Sequence, residues 1–402
     1  MPQNLNTYNI MKKFLLSLLA TVALVSCGDK NDDAPAYSAE EAKAAVTATM
    51  NSFYDCLKKA NDGGFADFFY NTVFKEAGRD QYGRKETWFD QLGDQFDRQF
   101  DLNKDNGFNY QELKGTYTWN SNTKQWDKTA NTTNNIVWLF PATASSTTNN
   151  ARGVVENYED FKATFEGGDV SKLPIKGHAV VTVDNVKMLE VTIGNVRYEQ
   201  NANFAVPTSA DITIFTNPFT TTIRLTKQTA ENFIFDFAFS SPQGCTTGLK
   251  ANVKLTSGNY DSFATFEEAV DNIHVLAIQN DFQIIAQADV KSVHKSGKKI
   301  GDLTVEEVNT YVKAELYKNG RKVADVKFDK ENGEEVVYFV FSDGSKEKAE
   351  KLLSELTPEN FTEKGKSLGN NQDIIYQDLG TFGTKAMVKE FEEALKDVPS
   401  NT

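Results

Sequence analysis

The chain reads as an α+β protein: N-terminal helices packed on a large antiparallel β-sheet, with a C-terminal β-meander and two helices. Four observations predict this class. Apolar residues recur at helical spacing early in the chain, first at Ala42, Val46, Met50, Phe53 and Leu57, then at Trp88, Phe89, Leu92, Phe96 and Phe100. From Leu113 to about Thr256 the period changes to two. No segment between about 176 and 256 can serve as a helical crossover, so the strands there must pair antiparallel. Further on, Asn319-Gly320 and Asn332-Gly333 join three strand-like runs, and Asn-Gly is the strongest short hairpin signal.

Composition sets the outer limits. The 402 residues are 40% hydrophobic and 25% charged, as in ordinary globular chains, which excludes disorder throughout. Their 43 Lys+Arg and 56 Asp+Glu give a formal charge of −13 with no basic block. Sequence-independent nucleic-acid binding needs clustered cations to release phosphate counterions, so it is excluded. No apolar run reaches the roughly 18–20 residues of a membrane-spanning helix.

The elements follow in order. Ser38-Ala39-Glu40-Glu41 is a capping box, in which Ser38 accepts an orphan amide and Glu41 reaches back. Its helix stops at Gly63-Gly64, and a second amphipathic helix spans about 84–100. Thr116–Trp119 and Gln125–Lys128 flank an Asn/Ser/Thr turn and read as a hairpin. Ile136–Phe140 is apolar on both faces, as in a covered strand, and Ala142–Asn150 is a loop. Strands are expected at His178–Val183, Val186–Ile193, Asp211–Thr216, Thr221–Thr226, Phe233–Phe239 and Leu249–Thr256. A helix near Ser262–Asn272 and a strand at Phe282–Val290 precede the meander of 308–318, 321–331 and 334–341. In its first joint Leu316 is expected opposite Val323. Ser342-Asp343-Gly344 then turns into a helix at about 345–356, and a final helix carries Val388, Phe391 and Leu395 on one face. Single cores usually stop growing at ~250–300 residues, so two units are expected, 38–277 and 278–402, the second free to continue the same sheet.

The N-terminus carries an address. Met11-Lys12-Lys13 precedes an uncharged run from Phe14 to Val25 and then Ser26-Cys27-Gly28, the pattern of a secretory signal over residues 1–26 with Met11 as the natural start. Leu24-Val25-Ser26-Cys27 resembles a bacterial lipobox, a likeness that implies cleavage before Cys27 and acylation of its thiol. The acidic tether of residues 27–37, beginning Gly28-Asp29-Lys30-Asn31-Asp32-Asp33 after the cysteine, resembles that of surface-exported lipoproteins of the Bacteroidetes. The resemblance covers residues 11–33 and implies an outer-membrane, surface-exposed protein held by acyl chains on Cys27. Each buried methylene contributes about 0.8 kcal/mol to such an anchor. Of the remaining cysteines, Cys56 falls in an amphipathic helix and Cys245 far along the sheet. The compartment permits a disulfide, but spacing does not set connectivity, and two free thiols are the first expectation.

Catalytic signatures are absent: there is no G-x-S-x-G, Walker loop, G-x-G-x-x-G, H-E-x-x-H or C-x-x-C. His178, His274 and His294 are too dispersed for metal-ligand spacing on one element. The segment from Asp101 to Glu112 is similar to a calcium loop of the EF-hand or dockerin kind. That likeness would make Asp101, Asn103, Asp105, Asn109 and Glu112 oxygen ligands for Ca²⁺. Glycine falls at position 7 and not at 6, and a strand follows, so an acidic surface turn is the simpler reading. Calcium is the one cofactor that this likeness implies.

Trp119, Trp126 and Trp138 could stack on sugar rings, although aromatic residues on strands more often pair across a hairpin and bury themselves. Phe233, Phe235, Phe237 and Phe239 alternate and so share one face, with Ile234, Asp236 and Ala238 on the other. Such a stripe fits a filled core, or an apolar cavity like that of periplasmic lipoprotein-carrier half-barrels, a resemblance of architecture alone. The first expectation is therefore a non-catalytic binding or structural role at the cell envelope, with a glycan, an apolar ligand or another envelope protein as partner. One alternative is a carrier or sensor of an apolar ligand in a Phe-lined β cavity. The other is an envelope hydrolase acting on glycan.

Overall fold

Among the described residues sixteen strands follow one another into a single sheet, because most of them are joined to the next by short connections. The computed structural model describes residues 36–349 apart from 62, 70, 73–87, 89–91, 93–107, 130–133, 144–145, 169 and 202–204. The strands are β1 (Gly115–Asn120), β2 (Gln125–Thr129), β3 (Ile136–Phe140), β4 (Ala151–Thr164), β5 (Val170–Val183) and β6 (Val186–Gln200). Next come β7 (Ala205–Thr216), β8 (Phe219–Lys227), β9 (Asn232–Ser240), β10 (Thr246–Leu255) and β11 (Val270–Gln279). The last five are β12 (Phe282–Asp289), β13 (Val312–Lys318), β14 (Arg321–Glu331), β15 (Glu334–Val340) and β16 (Lys346–Lys348). From β3 to β16 every neighbour is the next strand in sequence, so the expected meander extends through almost the whole sheet. The exception is β1, which pairs antiparallel with β2 and parallel with β3. This is the α+β class expected, with helix packed on a large, almost entirely antiparallel sheet.

Helix α1 (Ala39–Asn61) begins at the expected capping box: the Glu41 amide donates to Ser38 Oγ at 3.3 Å, and the Ser38 amide donates to Glu41 at 3.0 Å. Its buried Ala42 and Val46 join Val275, Phe282, Ala286, Ala314, Leu316 and Phe339 in the largest buried cluster. A short helix α2 (Gly64–Phe69) continues the same path. Helix α3 (Tyr110–Leu113) leads into β1. At the far ends of the later strands lie α4 (Phe266–Ala269), α5 (Val290–Lys295) and α6 (Val305–Tyr311). Asn309 ties α6 to β14 by donating to the Phe328 carbonyl at 2.7 Å and accepting from its amide at 3.0 Å.

Several expectations require correction. Residues 262–272 are not one helix; four residues of α4, capped by Thr265, give way to β11. Residues 308–311 close helix α6, and the strand begins only at Val312. Lys346–Lys348 is an edge strand where a helix was expected. Strand β4 and the first half of β5 had no counterpart in the sequence reading, since Glu156–Asp160 breaks alternation with a register shift at Asn157, where φ is 54°. Both Asn-Gly turns form with positive φ at each residue. Leu316, however, pairs with Ala324, because a bulge places Val323 as an extra residue on β14. The expected helix over 84–100, apart from Trp88 and Leu92, and the C-terminal helix with Val388, Phe391 and Leu395 lie outside the described residues.

Candidate functional site

Directly paired residues of an antiparallel sheet point to the same side, so the register sorts the side chains into two faces. One row across the sheet runs Ile193, Ile212, Ile223, Phe237, Leu249, Ala277, Ile284 and Leu316, apolar on eight successive strands. The row immediately beside it runs Gly194, Asp211, Arg224, Asp236 and Lys250 and faces the other way. The sheet is therefore amphipathic across its width. All four expected phenylalanines lie on the apolar face.

That face is covered at its two flanks and only half-buried in the middle. On the C-terminal flank the α1 cluster buries Leu316, Val275 and Ala286. On the N-terminal flank an aromatic cluster gathers Trp88, Phe108, Tyr117, Trp119, Trp138 and Phe140. Between them Ile193, Ile212, Ile223, Phe235 and Phe237 are only half-buried and belong to none of the described buried clusters.

The helical segment closes one end of this face. The Tyr37 amide donates to the Lys322 carbonyl at the β13–β14 turn, and Asn280 at the β11–β12 turn donates to Ser52 Oγ at 2.6 Å. Farther along, the Phe65 amide donates to the Asn217 carbonyl at the β7–β8 turn, and Thr72 donates to the Ala142 carbonyl at 2.9 Å. Gly63 is needed at this crossing: a Cβ there would sit 2.6 Å from the Asn217 carbonyl oxygen. Midway, Cys56 and Cys245 form a disulfide with Cα atoms 5.5 Å apart, packed with Phe219 and Phe239. The two-thiol expectation is thus corrected. Spacing hid the bond because β10 starts where α1 passes overhead.

The polar face carries a charged constellation that was not foreseen. His178 on β5 bonds Glu156 on β4 through Nδ1 at 2.9 Å and Glu190 on β6 through Nε2 at 3.0 Å. Carboxylates only accept, so both ring nitrogens must donate and the ring is an imidazolium. The Glu190 hydrogen bond holds the His178 pKa above its ordinary value against some desolvation. Lys187 donates to Glu190 at 2.6 Å and, with His178, holds that carboxyl below its ordinary range. Nearby, burial pushes the Tyr158 phenol up to about 12. The ring nitrogens of His178 face opposite partners, so this is a charge relay between strands and not a metal set.

The other predicted residues divide sharply. Asp101, Asn103 and Asp105 lie outside the described residues. Asn109 precedes α3 without a side-chain cap bond, Glu112 is exposed on it, and the expected strand follows the loop as β1 from Gly115. Trp119 and Trp138 are buried; Trp126 packs edge-on against Trp119 at 5.5 Å between ring centres. Trp88 lies 4.1 Å from the Phe140 ring centre in the same cluster. Their faces are turned into the core, where they close the N-terminal flank. Among the described residues, no group of three or more His, Cys, Asp or Glu side chains could hold a metal ion, and no helix is long and apolar enough to cross a membrane. No known protein family, no curated protein and no solved structure matches the chain.

Proposed function

We propose that this protein is a lipid-anchored envelope protein that carries or senses an apolar ligand on the open face of its sheet. One observation carries the reading: the half-buried row Ile193, Ile212, Ile223 and Phe237, set between two flanks that bury the same face. A sheet serving only as scaffold buries its apolar face under its own elements, and contiguous exposed apolar surface marks an interaction or ligand site. Covering the part of such side chains that is still exposed contributes a fraction of the about 1.5–3 kcal/mol of full burial, so several must act together to hold a ligand. Phe235 and Phe237 supply broad, stiff contacts that suit an acyl chain or a fused-ring lipid.

The envelope location rests on residues 11–33 and on the chemistry of the cysteines. A buried Cys56–Cys245 bond accords with an oxidising compartment and argues against the cytosol. Acylated Cys27 would hold the folded body outside the membrane on the short acidic tether, within reach of lipid. The test uses Cys27→Ala protein purified without detergent, extracted with organic solvent and examined by mass spectrometry. A recurring apolar molecule in near-equimolar amount, lost from the folded Phe237→Asp variant, is expected. Extracts that hold no such molecule, or that match in both proteins, would overturn the reading.

A further inference from the structure

We infer that the polar face holds a separate cleft for a neutral, hydroxyl-rich ligand, a short saccharide. The cleft is a shallow, open depression of about 710 Å³ at the end of β9, β10 and β11, within the size range of small-ligand sites. Its floor is set by register. Asn252 and His274 are direct cross-strand partners, and Lys254 stands between Asn232 and Asn272. The 228–232 turn forms one wall, braced where the Gln228 amide donates to the Asn232 carbonyl and Asn232 Nδ2 donates to Gln228 Oε1, both at 2.8 Å. The opposite wall is the start of α5 at Lys291.

The charges here are already matched. One oxygen of Asp271 lies 3.4 Å from both the Lys254 and the Lys291 ammonium groups, and Thr229 donates to Glu231 at 3.3 Å. Two cations and two carboxylates leave the lining close to neutral, which gives no preference for an anion or a cation. The uncommitted groups are Asn252, Asn272 and His274, half-buried and without a hydrogen-bond partner among the described residues. An amide offers donors and an acceptor side by side, and an imidazole adds ring nitrogens that hydrogen-bond in the ring plane. A run of sugar hydroxyls, each both donor and acceptor, is the complement of that set. Among the described residues no Phe, Tyr or Trp lines the cleft, so hydrogen-bond geometry must carry most of the discrimination.

The test is calorimetric titration of the full chain with maltose, cellobiose and lactose, and with glucuronate and glucosamine as charged counterparts. Saturable binding of at least one neutral disaccharide is expected, weakened about three- to tenfold by Asn252→Ala and by His274→Ala, as one lost hydrogen bond implies. Thr123→Ala, in the β1–β2 turn at one edge of the sheet and many strands from the cleft, should leave it unchanged. In the native chain the His274 ring resonances should move with the saccharide while those of His294 stay, a readout independent of any variant's folding. Absence of saturable binding, binding by the two alanine variants as tight as that of the native chain, preference for a charged sugar, or a still His274 signal would each overturn the inference.

Discussion

Removing the Cys56–Cys245 bond should cost this protein several kcal/mol, on the order of 5, of stability. The bond closes a loop of 189 positions, between a helix and a hairpin that meet only in the folded state. The loop-entropy relation gives about 18 cal/mol/K for that length, or about 5 kcal/mol at room temperature, an upper bound because native strain and residual unfolded structure subtract from it. For a cooperative unit of roughly 300 residues the unfolding entropy is about 0.6 kcal/mol/K, so the melting temperature should fall by about 8 °C. The double variant Cys56→Ala/Cys245→Ala is the cleaner perturbation, since both side chains are at most 4% exposed and alanine leaves no buried thiol. Urea unfolding of the native and variant proteins, each with and without reductant, measures the effect. Reductant should destabilise the native protein toward the variant and leave the variant unmoved. A loss below about 1 kcal/mol, or equal sensitivity of both proteins to reductant, would refute the reasoning.

Other consequences can be checked separately. His178 has a raised pKa in the folded state, so its contribution is fully present below its ordinary value of about 6.5 and is lost as pH rises through the raised one. The stability gap between native protein and His178→Ala should therefore be about 1 kcal/mol at mildly acidic pH, screened by solvent, and shrink toward alkaline pH. Glu156, Glu190 and Lys187 face the ring, and a gap that is flat across that window would exclude the imidazolium. Gly63→Ala should cost about 1–3 kcal/mol in urea titration because its Cβ meets the Asn217 carbonyl, whereas Gly301→Ala, with nothing within 4 Å, should change little. Equal costs at the two positions would dismiss the crossing constraint. Cys27→Ala should move the protein from the membrane fraction to the soluble one, and continued sedimentation would rule out the acyl anchor.

The sheet was legible where local chemistry decides it. Asn319-Gly320 and Asn332-Gly333 dictate their hairpins, Trp119 and Trp126 pair across theirs, and Ser38 with Glu41 starts the helix. The alternation of Phe233 to Phe239 placed one face of one strand, but the breadth of the apolar row depends on the register of eight strands together, which no single segment encodes. Strand β11 was obscured because Thr265 and Glu268 begin a helix convincingly and the chain leaves it within four residues. The parallel contact of β1 with β3 and the bulge at Val323 are tertiary choices without a local signal. Of the candidate site, the phenylalanine stripe could be read in advance. The disulfide beside it and the His178 pair could not, since their partners are brought together only by pairing of distant strands.

The open apolar face is the central claim, and titration with a fluorescent apolar probe tests it most directly. Native protein should bind the probe saturably near one equivalent, with displacement by a long-chain lipid. Phe237→Asp, folded by circular dichroism, should bind at least tenfold more weakly, since one buried aromatic contact and a new desolvated charge exceed about 1.4 kcal/mol. No saturable binding to the native protein, or equal binding to both, would contradict the account.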